Sequence, residues 1–264
     1  MSEPDRGPAF PPVETDGQAC AVPAGPAAKR WGFWSTTAWG VVILAAWAAA
    51  QFAVMVVLLW WRDDPADFVE PERLLRSGSS IAFVAIGGAP MVLAMVALAV
   101  RLSGRRLAEY LALRGPTRRD WILGILSMAV LLPALDLATG LTGRDVTPFV
   151  VLEAYRTARD AGTLPWLALA LVVAAPVTEE VTFRGFLFRG WAASRLGVAG
   201  AVALTSFFWA AMHVQYDWFF MLQIFVLGLV LGWLRQRSGS TLLTMALHAG
   251  VNLWALMQAA TAVG

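Results

Sequence analysis

Long uncharged apolar runs, separated by short polar segments, dominate the chain. The hydrocarbon core of a bilayer is about 30 Å thick and takes about 20 apolar residues per helix. The pattern therefore predicts an all-α protein, a polytopic transmembrane helix bundle of about seven spans with short interfacial helices. The seven runs are Trp31–Trp61, Ser77–Val100, Trp121–Leu135, Ala161–Thr178, Leu196–Met212, Trp218–Leu234 and Ser238–Gly264. The fourth run is short, and we expect its helix to continue through Val181–Phe188.

The composition favours the same class of protein. Of the 264 residues, 58% are hydrophobic and 14% are charged, whereas about 25% of the residues of a soluble domain are charged. We therefore expect an integral membrane protein. The formal net charge of +2 comes from arginines beside the spans, which indicates contact with anionic membrane lipids and no nucleic-acid partner.

The distribution of basic residues predicts the orientation. Fourteen of the 20 lysines and arginines fall in the N-terminal tail and the alternate loops on its side, and six fall in the others. Basic loops stay in the cytoplasm, so we expect a cytoplasmic N-terminus, in what is expected to be a bacterial cytoplasmic membrane. Residues 1–35 are rich in Pro, Ala and Gly and are predicted to be a disordered cytoplasmic tail. Residues 36–264 are predicted to be the transmembrane helical domain.

Charged residues interrupt the fourth apolar run in the stretch APVTEEVTFRG, residues 175–185. On insertion scales, an ionised group inside a membrane costs about 2.5–3.5 kcal/mol. Residues four apart share a helix face, so Glu180 and Arg184 are expected to pair. Glu179 is turned by about 100° from its neighbour, which predicts that one glutamate serves chemistry and the other serves structure.

The two histidines of the chain fall inside or at the end of predicted spans. His213 ends the fifth run, and His248 lies in the seventh with Asn252 on the same helix face. A single histidine in a membrane is most often a hydrogen-bonding group between helices, worth about 0.6 kcal/mol. Here the acids, the arginine, the histidines and the amide all fall in the last third of the chain. This convergence predicts one shared polar site.

Such a set of side chains suits the hydrolysis of an amide. A carboxylate in an apolar pocket can accept a proton from water and later return it. One histidine can orient that water, while a second histidine and an asparagine can donate hydrogen bonds to a developing oxyanion. Glu179, His213 and His248 are also an admissible zinc ligand set with an open fourth position. The residues alone leave the metal-free and the metal-assisted schemes open.

Three ordered motifs carry a family resemblance. They are EEVTFR at Glu179–Arg184, WAAMH at Trp209–His213 and HAGVN at His248–Asn252. They resemble the EExxxR, FxxxH and HxxxN motifs of the CPBP family, the CAAX-protease and bacteriocin-processing intramembrane proteases that include the eukaryotic prenyl-protein endopeptidase. Trp209 stands in place of the expected phenylalanine and keeps an aromatic packing role. The resemblance covers residues 163–258 and places a protease-like core at 121–260.

The resemblance implies a role for each matched residue. Glu179 would activate the water with His213, and His248 and Asn252 would stabilise the oxyanion. The Glu180–Arg184 pair would support them, although the choice of catalytic base between the two glutamates stays open. The family includes members described as metalloproteases, so a divalent metal such as zinc remains an alternative. The expected substrate is a hydrophobic or lipidated peptide.

Two other classes of function remain as alternatives. A non-catalytic membrane scaffold or immunity protein could keep the fold without the activity. A proton-coupled transporter could use the buried acids and histidines, but transporters commonly show two related halves, and the sequence has no such duplication. Asp136, inside the third run, is expected to be hydrogen-bonded within the bundle or to lie near the outer interface, rather than to act on substrate.

Overall fold

The computed structural model describes residues 31–62 and 71–264, and all regular structure in these ranges is helical. The helices are α1 (Phe33–Arg62), α2 (Pro71–Arg76), α3 (Gly78–Leu102), α4 (Leu107–Tyr110), α5 (Arg118–Leu141), α6 (Phe149–Asp160), α7 (Leu164–Ala192), α8 (Gly197–Ala211), α9 (Trp218–Ser238) and α10 (Thr241–Val263). The predicted all-α polytopic bundle is confirmed.

Six helices within the described ranges are long and apolar enough to cross a membrane: α1, α3, α5, α7, α9 and α10. The seventh apolar helix, α8, has 15 residues and is therefore about 22 Å long, which is shorter than a bilayer core. Helix α7 runs through the charged stretch as one 29-residue span, as predicted. The chain is an integral membrane protein.

The predicted tail falls largely outside the described part of the chain. Residues 1–30 are outside it, so their predicted disorder is not addressed. Helix α1 begins at Phe33, close to the boundary expected at residue 35. Near this start, the Trp31 indole donates a hydrogen bond to the Ala99 carbonyl at 3.1 Å, which ties the entry of α1 to the end of α3.

Side-chain caps fix several helix ends. Thr117 and Asp120 form a reciprocal capping box at the start of α5, and the Asp217 carboxylate accepts hydrogen bonds from the first N–H groups of α9. Helix α9 ends at Gly239, whose φ of 60° places it in the left-handed region that glycine adopts at little cost. Ser240 then caps α10. These signals allow the tight α9–α10 turn that returns the chain into the bundle.

Small residues let the helices approach closely, as is common within membranes. Gly190 on α7 meets Thr36 on α1, and Gly78 on α3 meets Ala154 on α6. The central core buries Phe183 and Phe186 of α7 completely. Many large apolar side chains on the outside are exposed, among them Trp60 and Trp61 at 79% each. The surface is apolar because it faces lipid.

Helix α7 contains two π-helical segments, Ala170–Ala174 and Val181–Leu187, on either side of the glutamate pair. A π-turn widens the helix and leaves backbone groups without their usual α-helical partners, and such turns are frequent at functional sites. A side chain from another helix contacts each segment. The Asn252 amide donates to the Leu171 carbonyl at 2.6 Å, and Arg235 Nε donates to the Arg184 carbonyl at 3.0 Å.

Candidate active site

A buried ion pair lies at the centre of the bundle. Arg184 Nη1 donates to Glu180 Oε1 at 2.9 Å, and both side chains are fully buried. His248 Nδ1 lies 3.1 Å from the same carboxylate oxygen. The ion-paired carboxylate can only accept hydrogen bonds, so Nδ1 of His248 carries a proton and donates it. Glu180 therefore fixes the ring of His248 and directs Nε2 away from itself.

The other glutamate faces a different set of partners. Trp209 Nε1 donates to Glu179 Oε2 at 2.5 Å, and His248 Nε2 lies 3.9 Å from that oxygen. The Glu179 side chain is 13% exposed, whereas Glu180 is fully buried. Among the described residues, no hydrogen bond reaches Oε1 of Glu179. The two adjacent glutamates thus differ as the helix geometry predicted. Glu180 Oε2 also lacks a hydrogen-bond partner, but it is fully buried, so only Glu179 combines an unbonded oxygen with partial exposure.

Trp209 connects the glutamate pair to His213. The Arg184 guanidinium lies 4.4 Å from the centre of the indole ring, and the ring meets His213 and His248 edge-on, with centroid separations of 5.4 and 5.1 Å. His213 Nδ1 lies 2.7 Å from the Trp209 carbonyl oxygen. A carbonyl only accepts, so this nitrogen is protonated and Nε2 is the acceptor of the neutral ring.

A cavity of about 160 Å³ brings the motif residues together. Its lining includes Trp209, His213, His248 and Asn252, whereas Glu179 adjoins it through its contacts with Trp209 and His248. We call it the histidine cavity. The sequence predicted that the three motifs converge, and the structure brings them together. One amide hydrogen of Asn252 is donated to the Leu171 carbonyl.

Several contributors to the site were not identified from the sequence. Tyr216 lines the histidine cavity, and burial raises the pKa of its phenol to about 12, with a further contribution from the Glu179 carboxylate. The phenol therefore stays neutral and can donate a hydrogen bond. The Gly228 carbonyl accepts a hydrogen bond from Arg184 Nη2 at 3.4 Å. Arg235 Nε donates to the backbone carbonyl of Arg184, the cation of the ion pair. These contacts join segments that are distant in sequence, so no local motif predicts them.

The proposed metal ligands do not form a compact set. Within residues 31–62 and 71–264, no three His, Cys, Asp or Glu side chains are placed to share an ion. Glu179 Oε2 is engaged by Trp209, and Nδ1 of His213 by a carbonyl. The residues in this arrangement do not fit a three-ligand zinc site.

Comparison with known proteins finds a partial match to a peptidase family and one bacterial relative. Residues 161–254 match the family model of the Rce1-like type II CAAX prenyl endopeptidases. An uncharacterised 24.3 kDa protein of Escherichia coli is 28% identical over 213 residues, which cover 75% of this chain and 91% of that protein. No solved structure matches the chain.

The helical bundle and its buried site define a polytopic membrane protein. Its segment 161–254 is similar to the Rce1-like CAAX endopeptidases, which supports the family resemblance that the three motifs carried. The family that this segment resembles consists of peptidases. The roles of individual residues remain predictions.

Proposed function

We propose that the protein is an intramembrane endopeptidase that hydrolyses a peptide bond of a hydrophobic or lipidated substrate with a glutamate-activated water. One observation carries the proposal. Glu179, the partly exposed member of the glutamate pair, adjoins a cavity that both histidines line, inside the family-matched segment. Its partner Glu180 is sequestered in an ion pair.

Glu179 is the better candidate for the general base. Trp209 fixes its Oε2, which leaves Oε1 for a water molecule, and the acceptor nitrogen of His213 can hold the same water. Glu179 takes one proton as the water oxygen attacks the substrate carbonyl carbon. The carboxylic acid then protonates the leaving amine, and the carbon–nitrogen bond breaks.

His248 and Asn252 are suited to the oxyanion. His248 would need both ring nitrogens protonated to donate to the oxyanion, because Nδ1 already donates to Glu180 and only Nε2 remains for a second donor. Asn252 has a second amide hydrogen beside the one held by Leu171. Each donor of this kind is worth about 3–4 kcal/mol in the transition state.

A largely apolar groove beside the histidine cavity favours a hydrophobic substrate. Its volume is about 790 Å³, and its lining shares Pro148, Val151, Tyr216 and Phe220 with the histidine cavity. An apolar chain lying in the groove would therefore lead directly to the catalytic side chains. Its partners would be a hydrophobic or lipidated peptide and the surrounding lipids. The Escherichia coli relative supports a bacterial membrane, and the arginine distribution supports a cytoplasmic N-terminus.

Cleavage of a hydrophobic peptide by the purified protein in liposomes tests the proposal. Glu179→Gln, His213→Gln and His248→Gln should each lower kcat at least about a hundredfold, while the protein remains folded in detergent. Glu109→Gln is the matched control, because Glu109 is an exposed glutamate and should leave kcat unchanged. Full turnover by the Glu179 and His248 variants would overturn the mechanism.

The Glu179→Gln variant also distinguishes the peptidase from the two alternative classes of function. A scaffold or immunity protein of this fold would keep its cellular function in the Glu179→Gln variant and would cleave no peptide. A proton-coupled transporter would move solute in liposomes and lose that transport in the variant. Peptides that accumulate in cells carrying Glu179→Gln, and disappear with the wild type, would identify the substrate.

A further inference from the structure

A second polar group lines the histidine cavity on the side of α5. Asp136 Oδ2 accepts hydrogen bonds from Gln258 Nε2 at 2.9 Å and from Trp254 Nε1 at 3.3 Å. Gln223, which bonds to Thr139 Oγ1 at 2.7 Å, also lines this side. Two donors on α10 therefore position the carboxylate of α5 in the cavity that holds the two histidines.

Within residues 31–62 and 71–264, no arginine or lysine serves as a counter-ion for Asp136. In the described ranges its side chain receives hydrogen bonds only from the neutral amide of Gln258 and the neutral indole of Trp254, and both reach the same oxygen. Acids of this kind within a membrane protein normally pair with a cation or serve a pathway. Its second oxygen is free to bind a positively charged group that enters the cavity.

The spacing along α10 sets the reach of this carboxylate. Its partners Trp254 and Gln258 lie six and ten residues beyond His248 on the same helix, which corresponds to about 9 and 15 Å along the axis. An extended peptide advances about 3.3 Å per residue. A substrate with its scissile bond at His248 would therefore bring a side chain about three to five residues away to Asp136.

We propose that Asp136 is a specificity-determining residue that binds a basic side chain of the peptide substrate, about three to five residues from the scissile bond. The proposal rests on the proposed peptidase function. It names the substrate class more closely: an otherwise hydrophobic peptide with one lysine or arginine at that distance. Gln258 and Trp254 are positioning residues that hold the carboxylate.

The test uses the full-length protein in liposomes and two series of otherwise identical apolar peptides. In each series a single lysine is moved from two to seven residues away, on one or the other side of the scissile bond. Norleucine replaces lysine in the reference peptide, because it keeps the aliphatic stem without the charge. We expect kcat/KM to peak at least about tenfold above the reference when lysine stands about three to five residues away.

Asp136→Asn should remove that peak, so that the lysine and norleucine peptides are cleaved by the variant with equal kcat/KM. Asp145→Asn is the matched control, because this exposed acid lies outside the cavity and the peak should persist. Asp136→Lys should transfer the preference to a peptide with glutamate at the same position. If Asp136→Asn does not fold, the position of the lysine peak measured with the wild type still tests the subsite.

The outcomes separate the two proposals. If no peptide is cleaved, the peptidase function fails. If all peptides are cleaved with equal kcat/KM, or if Asp136→Asn keeps the lysine peak, the peptidase function stands and the subsite is overturned. A peak that depends on Asp136 but lies within two residues of the scissile bond would also overturn the proposed geometry.

Discussion

Trp209 Nε1 donates a hydrogen bond to Glu179 Oε2 at 2.5 Å, across two helices that meet at the site. The motif resemblance places a phenylalanine at this position, and phenylalanine has no such donor. The tryptophan therefore does more than pack. It holds one oxygen of the proposed base, while its ring lies against the Arg184 guanidinium and both histidines.

Trp209→Phe should lower kcat about ten- to hundredfold, with KM nearly unchanged. The ring that packs against Arg184 is kept, but the carboxylate of Glu179 loses the donor that orients it, and misplaced catalytic groups cost about this much. Peptide cleavage in liposomes measures both constants. Trp191→Phe is the matched control, because Trp191 is also buried and its indole donates to Thr37 Oγ1 at 3.0 Å. Equal kinetics for the two variants would contradict the role given to Trp209.

Arg184→Met should lower stability strongly. Removing one partner of a buried ion pair leaves an uncompensated charge and costs about 3–5 kcal/mol. Thermal unfolding in detergent should show a large decrease in midpoint. The double variant Glu180→Gln with Arg184→Met, which removes both charges, should recover much of that loss and remain inactive. If the double variant were less stable than the single one, the ion pair would not account for the effect.

Gly190→Ala should destabilise the contact between α1 and α7. A methyl group at Gly190 would overlap the Thr36 side chain, and overpacking of this kind costs about 1–3 kcal/mol. Gly140→Ala provides the comparison, because this helical glycine has open space around it. Thermal unfolding should show a loss for the first variant and none for the second.

Asp217→Asn should show a stability difference that depends on pH. Desolvation raises the pKa of Asp217, but the N–H groups of Phe220 and Phe219 and the Arg144 guanidinium outweigh it and hold the pKa below its ordinary value. The ionised group therefore stabilises the fold above the unfolded pKa of about 3.9, and this contribution is lost as the pH falls through the lower folded pKa.

Asparagine keeps an oxygen for the helix cap but removes the charge. The unfolding midpoint of the wild type should exceed that of the variant at pH 7, and the gap should close in acid. A gap of constant size from pH 7 to pH 3 would show that the charge of Asp217 is not responsible.

Chelation should leave peptidase activity in place. The mechanism proposed here uses Glu179, His213 and His248 without a metal. After dialysis against a strong chelator in detergent, we expect kcat to remain within about twofold of the untreated protein. Loss of activity that zinc restores would instead establish the metal-assisted scheme, with the same three residues as candidate ligands.

The sequence predicted the larger features because each rests on a local pattern. Uncharged runs located the spans, and the four-residue spacing paired Glu180 with Arg184, which the structure shows at 2.9 Å. The cost of ionised groups in lipid explains why His213, His248 and the glutamates converge. The family resemblance rested on the order of the three motifs more than on any one of them.

Other features depend on contacts between distant segments, which periodicity does not encode. The indole donor of Trp209 became relevant only when α8 was seen beside α7. Asp136 was expected to be hydrogen-bonded within the bundle, and it is, through Gln258 on α10. Its place in the histidine cavity could not be read from the sequence, since it depends on how α5 packs against α10.

The two π-helical segments of α7 change how its exterior must be interpreted. An α-helix rotates by 100° per residue, and a widened turn that accommodates an additional residue interrupts that rotation. A single helical wheel drawn over Leu164–Ala192 would therefore misplace the residues after Leu187. The residues of this span that face lipid acyl chains therefore have to be identified separately for each part of the helix. These parts lie before, between and after the π-helical segments Ala170–Ala174 and Val181–Leu187.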